Sequence, residues 1–347
     1  MIAGPALTLT RAALVALGMT GAAMAEPTYT FLSFDDLNGW ADDDHAAALD
    51  VFTQTCGDIP RREWAQLCAF AKDGPAARDF FETFFQPVLI EDGTPMLFTG
   101  YYEPELRGSL TPDETYRWPI YALPGDGTEG VYSRREIEEL QPFADRGLEI
   151  AWLSDPVDLF FLQVQGSGRI RLPNGRVIRV GYAGKNGREY TSVGRALVDR
   201  GVFTLDEVSS PVIRDWVKAN PEQGRALLWL NESYVFFRTI DEVPADKGPL
   251  GAMNRSITPL RSIAVDPALT ILGAPVWIEK DGAAPLRRLM IAQDTGSAIK
   301  GAQRADVYYG TGDAAFEAAS AVKDGGRMVV LMPIPYALAK VGDPLAF

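Results

Sequence analysis

The chain has 347 residues and a formal net charge of −13, with only two cysteines and one histidine. This negative balance repels phosphate backbones and anionic lipid surfaces, which excludes nucleic acid as an expected partner. Two cysteines and one histidine are too few for a zinc site, and no motif in the sequence indicates a metal or a cofactor.

The first 25 residues have the features of a secretion signal. Arg11 precedes the apolar run AALVALGMTGAAMA, and Ala23-Met24-Ala25 has the small-x-small form that cleavage requires. No later stretch approaches the ~20 apolar residues of a membrane-spanning helix. We therefore expect residues 1–25 to be removed and the protein to be exported to the periplasm. Neither cysteine lies at the predicted cleavage site, so we do not expect a lipoprotein.

Three sets of apolar residues recur at helical spacing before Pro87 and predict three packed helices. The pattern begins after an acidic cap that ends at Asp44, where His45 is expected to be a solvated surface residue. Cys56 and Cys68 fall near the buried faces of their predicted helices in an exported chain. A disulfide between them is predicted, with a free buried pair as the alternative. The three sets are Leu49, Phe52 and Cys56, then Trp64, Leu67, Cys68 and Ala71, then Ala77, Phe80, Phe81 and Phe84.

After Pro87 the pattern changes to short strands separated by turn residues, which marks the entry to a β-rich body. VLIEDG and MLFTGYYEPELRG are the first predicted strands of this body. LFFLQVQGSGRIRL and RVIRVGYAGKNG are predicted strands joined at Asn174-Gly175, a dipeptide typical of hairpins. Three predicted helices follow, and the strand SYVFFR closes this part of the chain.

The last third of the chain alternates strands and turns. RSIAVD, PVWIEK, RRLMIAQD, ADVYYG and RMVVLMP are predicted strands, with one helix starting at Asp313. Many short strands with glycine turns and a single helix favour a small closed β-barrel. Because residues 26–347 are more than one compact core usually holds, two domains are expected.

Six stretches of the chain resemble membrane-bound lytic transglycosylase A, a family whose carboxy-terminal barrel is named for three aspartates. They lie in the family's order over most of residues 98–332. The resemblance implies a mainly β fold with N-terminal helices, in which a double-psi β-barrel and an inserted β domain face each other across a groove. It implies segments 26–104, 105–240 and 241–347, the first and last of which form the barrel domain. The stretches are FTGYYEPEL, FFLQVQGSGRIRL, GYAGKNGREYTSVGRALVDRG, SYVFFR, PLRSIAVD and AQDTGSAIKGAQRADVYYGTG.

The resemblance also implies a reaction. The family cleaves the β-1,4 bond between N-acetylmuramic acid and N-acetylglucosamine without water and leaves a 1,6-anhydro ring. By its match to the DVYYG segment, Asp306 would be the catalytic acid/base. Strand alternation places Asp306 opposite Val307, and an aspartate inside a strand suits a groove-facing acid. One carboxyl group suffices because the muramic acid 6-hydroxyl is tethered to the ring that it attacks.

Two further polar residues are predicted to support Asp306. Asp294 in Asp-Thr-Gly is by itself most typical of a capped turn, and the family match adds a role in orienting Asp306 or raising its pKa. Thr99 would hydrogen-bond Asp306 if the family geometry holds. Asp266, which precedes a proline, is assigned a structural role at a strand end. Ser297 stands where the family commonly has a second glycine, so its Cβ alters the local loop.

The candidate substrate-binding residues are polar or aromatic side chains on or near these segments. Two adjacent tyrosines in FTGYYEP point to opposite faces of their strand, so one at most faces the sugar. Two glutamines are predicted to share a strand face before Gly166, where their amides suit hydroxyl and acetamide groups. Two lysines would meet lactyl or peptide carboxylates. These residues are Tyr101, Tyr102, Gln163, Gln165, Lys185, Lys300 and Tyr309.

The resemblance implies peptidoglycan glycan strands as the substrate. It adds cell-wall synthesis or division proteins as partners of an enzyme that is expected to be a monomer. Two alternatives stay open. A glycoside hydrolase would use Asp294 and Asp306 as a pair and water as the acceptor. A non-catalytic wall-binding protein would keep the groove without turnover, since a fold alone does not fix a function.

Overall fold

The computed structural model describes residues 26–341, so the predicted secretion signal, residues 1–25, and residues 342–347 lie outside the described part. No helix in the described range is long and apolar enough to cross a lipid bilayer. The helices are α1 (His45–Thr55), α2 (Arg62–Lys72), α3 (Ala77–Phe84), α4 (Arg134–Leu140), α5 (Pro156–Gln165), α6 (Val193–Asp199), α7 (Ser210–Ala219), α8 (Pro221–Leu228), α9 (Asp313–Ser320) and α10 (Ile334–Val341). The strands are β1 (Thr28–Phe31), β2 (Phe85–Glu91), β3 (Leu97–Glu103), β4 (Glu105–Ser109), β5 (Trp118–Tyr121), β6 (Glu149–Leu153), β7 (Ser167–Arg171), β8 (Val177–Lys185), β9 (Val235–Thr239), β10 (Ser262–Val265), β11 (Pro275–Lys280), β12 (Leu286–Asp294), β13 (Arg304–Thr311), β14 (Lys323–Asp324) and β15 (Gly326–Pro333).

These strands form two sheets. In the described residues the larger sheet has nine strands in the order β1-β2-β15-β11-β12-β10-β13-β3-β14, and the smaller has six in the order β5-β6-β4-β7-β8-β9. The larger sheet is antiparallel except for the pairs β10/β12 and β3/β13, which run parallel. Strands β4 to β9 lie between β3 and β10 in the chain. The fold is therefore mainly β with N-terminal helices, a double-psi barrel with a second β domain inserted, as the resemblance implied.

Strand β11 forms the centre of the main core. All six of its residues are buried, and Val276, Trp277 and Ile278 are fully excluded from solvent. A strand buried on both faces favours consecutive apolar residues rather than an alternating pattern, as in the first four residues of β11. The last two, Glu279 and Lys280, are buried charges that pair with Arg327 and Asp324. The N-terminal segment covers this strand, because Trp40 packs edge-on against Trp277 with 5.2 Å between ring centroids.

The three predicted N-terminal helices are confirmed. The Asp44 side chain accepts a hydrogen bond of 3.0 Å from a backbone N–H of the first turn and so caps α1. Aromatic side chains of α1 and α3 pack together, with 5.9 Å between the ring centroids of Phe52 and Phe80. A disulfide joins Cys56, just after α1, to Cys68 on α2, with 5.4 Å between their Cα atoms. The cross-link holds the end of α1 against α2.

His45 is buried, and the prediction that it is a surface residue is wrong. Its side chain is 6% exposed and packs edge-on against Trp40, with 4.3 Å between ring centroids. A short 3-10 helix, Trp40–Asp42, carries Trp40 over the first turn of α1. Burial lowers the pKa of His45 below its usual value of 6.5, and the nearby charge of Asp43 opposes this shift. The local sequence pattern contains no signal for this tertiary contact.

The segment PVDLFFLQVQ is helix α5, and the prediction of a strand here is wrong. Asp155 caps the helix by accepting a hydrogen bond of 2.8 Å from the backbone N–H of Val157, and Pro156 occupies the first position. Gly166 ends the helix with a φ of 77°. These start and stop signals outweigh the strand propensity of the aromatic run. Consecutive residues are apolar because the helix packs on two sides, with Leu159 and Leu162 on the smaller sheet and Phe160 and Phe161 on α6 to α8.

The final third holds two helices in the described residues rather than the one predicted. Helix α9 begins at Asp313 as expected, and α10 follows β15 directly. Ala337 of α10 is fully buried and belongs to the main core. The helix therefore covers the edge of the core near β2 and β15.

Glu103 connects the two sheets. It is the last residue of β3, and its side chain is fully buried. Arg169 Nε lies 2.9 Å from one carboxylate oxygen and Arg179 Nε lies 2.8 Å from the other. Thr311 Oγ1 donates a further hydrogen bond of 2.8 Å from β13. Because both arginines belong to the smaller sheet, this buried cluster fixes the two sheets relative to each other.

Candidate active site

Four neighbouring strands of the larger sheet bring two aspartates into one row. Ala264 on β10 pairs with Asp294 at the end of β12 on one side and with Asp306 on β13 on the other. Asp306 pairs in turn with Thr99 on β3. Directly paired residues point to the same face of a sheet, and neighbouring strands lie ~4.8 Å apart. The two carboxyl groups therefore face the same side, two strands apart.

Asp306 is an acid held in a partly buried position. Thr99 Oγ1 donates a hydrogen bond of 2.7 Å to Asp306 Oδ1, which is the contact that the family resemblance implied. Burial raises the pKa of Asp306 above its usual value of 3.8, while the positive charge of Arg304 and the hydrogen bond from Thr99 act in the opposite direction. A carboxyl group with a raised pKa keeps its proton closer to neutral pH, as a general acid must.

Asp294 is held by three hydrogen bonds. Its Oδ1 accepts from the backbone N–H groups of Ala252 at 3.0 Å and Thr295 at 2.9 Å. Its Oδ2 accepts from the Tyr101 hydroxyl at 3.0 Å. Burial raises the pKa of Asp294 to about 6, the three hydrogen bonds oppose this shift, and the charge of Asp306 adds to it. The predicted capped turn needs a hydrogen bond to the N–H two residues on, whereas Asp294 binds the adjacent N–H of Thr295 and the N–H of Ala252 on another segment. Asp294 therefore ties two segments together and supplies a second titratable carboxyl group.

Tyr101 and Tyr102 point to opposite faces of β3, as predicted. Tyr101 faces the aspartates through its hydrogen bond to Asp294. Tyr102 is 8% exposed and packs against Phe316, with 5.2 Å between ring centroids. Tyr309 on β13 is half-buried beside the same small cluster, and burial raises its pKa to about 12. Of these three tyrosines, Tyr101 is the one whose hydroxyl reaches the aspartate row.

A groove lies between the two sheets beside this row. One cavity of about 680 Å³ is lined by Asp294 and residues 295–297 on one side and by α5 and β8 on the other. A second cavity of about 340 Å³ has Thr99 in its wall. The two cavities share Val164 and Gln165 of α5, so they adjoin. We name the two cavities together the inter-sheet groove.

Gln163 and Gln165 lie on a helix, so the prediction that they share a strand face is wrong. Gln165 Oε1 accepts a hydrogen bond of 3.1 Å from the backbone N–H of Tyr102, which ties α5 to β3. Gln163 is 5% exposed and lies in the wall of the groove. Its amide lies beside the Tyr234 phenol, yet within the described residues neither amide atom has a partner at hydrogen-bonding geometry. Both amide atoms are excluded from solvent, so a ligand in the groove reaches them only when the wall around Gln163 opens.

The two predicted lysines differ in their relation to the groove. Lys300 lines it, and its side chain is 64% exposed with Nζ 3.6 Å from Asp266 Oδ1. Lys185, at the end of β8, belongs to the lining of neither cavity. Asp266 is buried, and its carboxylate accepts hydrogen bonds of 3.1 Å from the backbone N–H groups of Ala268 and Gly301. Asp266 therefore has the structural role predicted for it.

Tyr182 is a groove residue that the sequence reasoning missed. Its side chain is 54% exposed, and it lies on β8 in the wall of the larger cavity. Aromatic side chains of this size are usually buried, so an exposed one in a groove is a candidate surface for the apolar face of a sugar ring. Strand alternation in RVIRVGYAGK places Tyr182 on the same face as Val180, which is fully buried, so the local pattern contains no signal for the exposure of Tyr182. The pairing of β8 with β9 shifts register just after Tyr182, which breaks that alternation.

Two family matches agree with this architecture. Residues 97–238 match the family described as the MltA specific insert domain, and residues 261–332 match the 3D domain. A barrel that bears the aspartate row, with an inserted β domain across the groove, defines the class of 3D-domain proteins with an MltA insert. The chain belongs to the membrane-bound lytic murein transglycosylase A (MltA) family.

Relatives of this family resemble the chain over most of its length. The crystal structure of a membrane-bound lytic murein transglycosylase from Agrobacterium tumefaciens is 33% identical, with a TM-score of 0.81 over 90% of this chain and 99% of that one. The membrane-bound lytic murein transglycosylase A of Vibrio cholerae is 34% identical over 67% of this chain. This match spans 64% of the Vibrio cholerae protein, which is just under two thirds of its length.

A further related structure contains an oligosaccharide. It is the crystal structure of Escherichia coli MltA with bound chitohexaose, which is 27% identical to this chain. Its TM-score is 0.69, over 84% of this chain and 90% of that one. A protein with the same fold therefore binds an oligosaccharide.

Proposed function

We propose that the protein is a peptidoglycan lytic transglycosylase. It would cleave the β-1,4 bond between N-acetylmuramic acid and N-acetylglucosamine and leave a 1,6-anhydro end. The observation that supports this most is Asp306, a partly buried acid with a raised pKa that is hydrogen-bonded to Thr99 in the wall of the inter-sheet groove. The names of the related proteins support the same class of reaction.

Asp306 acts in this proposal first as an acid and then as a base. Its protonated carboxyl group donates a proton to the glycosidic oxygen, and the bond between that oxygen and muramic acid C1 breaks. The 6-hydroxyl of the same ring attacks C1, forms the C1–O6 bond and gives its proton to the Asp306 carboxylate. No water is consumed, and the enzyme returns to its starting protonation state. The tethered hydroxyl makes a second catalytic carboxylate unnecessary because the attack is intramolecular.

Asp294 supports the site in this proposal without acting on the sugar. Its carboxyl group fixes the Tyr101 hydroxyl on the face of the sheet that carries Asp306. The charges of the two aspartates interact, so simultaneous ionisation is disfavoured. At a pH near the pKa of Asp294, this coupling favours the state in which one of the two carboxyl groups keeps its proton.

A glycoside hydrolase is the second candidate, and the raised pKa of Asp294 is the observation that favours it. Inverting hydrolases place two carboxyl groups ~6.5–9.5 Å apart, with room for a water between them. Residues two strands apart have Cα atoms roughly 10 Å apart, which is compatible with that range for their side chains. In this case water would be the acceptor and the product would carry a new reducing end.

We also propose that the inter-sheet groove binds a glycan strand. The Escherichia coli relative with bound chitohexaose supports an oligosaccharide as the ligand. Gln163 would donate and accept hydrogen bonds through its amide when the groove wall opens around it, and Tyr182 would pack on a sugar face. The positive charge of Lys300 at the groove suits a lactyl or peptide carboxylate. Tyr101, Gln165 and Tyr309 are further proposed binding residues. Tyr102, which faces away from the aspartates, would contact a glycan only through the smaller cavity that it lines, and Lys185 lies outside the lining of both cavities.

The cellular setting of the proposal follows from its substrate. The enzyme would act in the periplasm as a monomer, with cell-wall synthesis or division proteins as partners.

The proposed segments 26–104, 105–240 and 241–347 are supported by the change of sheet along the chain, since β4 begins at Glu105 and β10 begins at Ser262.

The experiment that tests the reaction is digestion of purified peptidoglycan in water enriched in ¹⁸O, followed by mass spectrometry of the released muropeptides. A transglycosylase forms anhydro ends and incorporates no label. A hydrolase forms reducing ends that carry one ¹⁸O atom, which would replace the proposal by the second candidate. Binding to peptidoglycan without release of fragments would leave a wall-binding protein.

A further inference from the structure

Arg304 contacts Thr99, the residue that donates a hydrogen bond to Asp306, and does not itself line the groove. It lies two residues before Asp306 on β13, so the two side chains leave the strand on the same face. Its Nη2 donates a hydrogen bond of 2.8 Å to Thr99 Oγ1. Its Nη1 donates to the backbone carbonyls of Ala305 at 2.7 Å and Leu97 at 3.2 Å. The guanidinium group is thus anchored to both strands that carry the site.

The contact fixes the direction of the Thr99 hydroxyl. A threonine hydroxyl has one hydrogen and can accept through its lone pairs, whereas a guanidinium group can only donate. Because Arg304 donates to Thr99 Oγ1, the Thr99 hydrogen is free for Asp306 Oδ1 at 2.7 Å. With Oδ1 engaged as an acceptor, a proton on Asp306 resides on Oδ2.

We propose that Arg304 is a positioning residue, which acts through Thr99 to keep Asp306 Oδ1 as an acceptor and to present the acidic proton from Oδ2. This inference rests on the proposed function, because it gives Arg304 a part in the proton transfer by Asp306. The same arrangement persists after the proton has left, when Thr99 still donates to the Asp306 carboxylate. Arg304 would therefore keep the acid and base forms in one geometry.

The charge of Arg304 gives the arrangement a measurable signature. Burial raises the pKa of Asp306 and the charge of Arg304 opposes that shift, so removal of the charge raises the pKa further. The activity of a general acid declines as pH rises through its pKa. The other titratable or charged groups around Asp306 are Tyr101 on β3, Asp294 on β12, Tyr309 on β13, and Lys323 and Asp324 on β14.

The test compares kcat, KM and their pH dependence for release of anhydro ends by the wild type, Arg304→Gln, Arg304→Lys and Thr99→Val. For Arg304→Gln we expect kcat to fall about tenfold with KM unchanged, and the alkaline limb of kcat/KM to move up by about one pH unit. Arg304→Lys keeps the positive charge but loses the forked set of N–H donors. Its alkaline limb of kcat/KM should therefore lie at the wild-type pH, while its kcat stays as low as in Arg304→Gln. Thr99→Val lowers kcat to a similar extent, and the double variant with Arg304→Gln is no worse than either single variant.

Melting temperatures of all variants separate this role from a structural one. The proposal is overturned if Arg304→Gln has the kcat and the alkaline limb of kcat/KM of the wild type. It is also overturned if the losses of kcat in Arg304→Gln and Thr99→Val add up in the double variant. If the wild type itself forms no anhydro ends, the proposed function fails, and the inference is then tested without turnover. In that case the ¹³C titration of the Asp306 carboxyl group, assigned by its absence in Asp306→Asn, must move to higher pH in Arg304→Gln. An unmoved titration would overturn the inference independently of the reaction.

Discussion

Thr99 and Asp306 are direct partners across the parallel strands β3 and β13, and Thr99 Oγ1 donates a 2.7 Å hydrogen bond to Asp306 Oδ1. The two residues are 207 positions apart in the chain. All strands of the smaller sheet lie between β3 and β13 in sequence. The inserted domain therefore forms the wall of the groove opposite the strand pair that holds Asp306. The fold therefore places the acid and its groove together through one parallel strand pair.

Replacement of Asp294 by asparagine should stabilise the protein at neutral pH and slow the proposed reaction. The folded-state pKa of about 6 lies above the usual 3.8, so ionisation of Asp294 opposes folding as pH rises between these values. Above about pH 6, Asp294→Asn should gain roughly 1–2 kcal/mol of unfolding free energy, and below pH 4 it should gain nothing. The rate of release of anhydro ends should fall about tenfold, because the charge coupling to Asp306 is lost.

Urea unfolding at pH 4 and pH 8 measures this stability difference. Asp246→Asn is the matched control, since its carboxylate is 76% exposed and should leave both stability and rate unchanged. An equal effect of Asp294→Asn at the two pH values would contradict the assignment of a raised pKa to Asp294.

Replacement of Gln163 by leucine should weaken substrate binding without weakening the fold. The amide is buried in the groove wall beside the Tyr234 phenol, but no contact between the two has hydrogen-bonding geometry, so its replacement by leucine removes no formed hydrogen bond among the described residues. We expect KM for glycan strands to rise about fivefold to tenfold while kcat and the melting temperature stay near the wild-type values. Gln165→Leu is the contrasting variant. It removes the acceptor of the Tyr102 backbone N–H and should therefore lower the melting temperature. A lower melting temperature in Gln163→Leu would assign Gln163 to the structure instead.

Replacement of Glu103 by glutamine should strongly destabilise the protein. The carboxylate is fully buried between Arg169 and Arg179, and its neutralisation leaves two arginines without their counter-charge. The expected loss is about 3–5 kcal/mol, measured by urea unfolding. Glu105→Gln is the control, since its pair with Arg171 is exposed and should contribute no more than about 1 kcal/mol. If Glu103→Gln loses as little unfolding free energy as Glu105→Gln, the buried Glu103 cluster does not stabilise the fold as described.

Replacement of His45 by phenylalanine should make the fold less sensitive to acid. The pKa of buried His45 lies below its usual 6.5, so the unfolded chain takes up a proton at this site more readily than the folded chain. The stability that a neutral His45 provides is complete above about pH 6.5 and declines as pH falls below it. The decrease in melting temperature between pH 7.5 and pH 5.5 should be smaller in His45→Phe than in the wild type. Because the chain has one histidine, an equal decrease in both proteins would refute the assignment.

Local patterns predicted the parts of this structure that local interactions determine. The three N-terminal helices follow apolar stripes and the Asp44 cap, and the opposite faces of Tyr101 and Tyr102 follow from strand alternation. The Asp306 contact with Thr99 came from the family resemblance, since no pattern within one strand indicates a partner on another. That resemblance supplied the long-range pairing that the local sequence lacks.

Two errors had tertiary causes. The aromatic run of α5 has the composition of a strand, but the helix is buried on two sides and so needs apolar residues at consecutive positions. His45 follows a helix cap, where exposure is common, yet Trp40 from the preceding turn covers it. Arg304 was missed for the same reason, because its partner Thr99 lies 205 residues earlier in the chain.

The most direct test of Asp306 as the acid/base is the turnover of Asp306→Asn on purified peptidoglycan, measured as anhydro ends formed per minute beside its melting temperature. Asparagine has nearly the same shape but cannot donate an acidic proton, so the rate should fall by at least about 100-fold. The melting temperature should not fall, since burial already disfavours the charged carboxylate. A variant that folds as well as the wild type and retains its rate within a few-fold would contradict the assignment of Asp306.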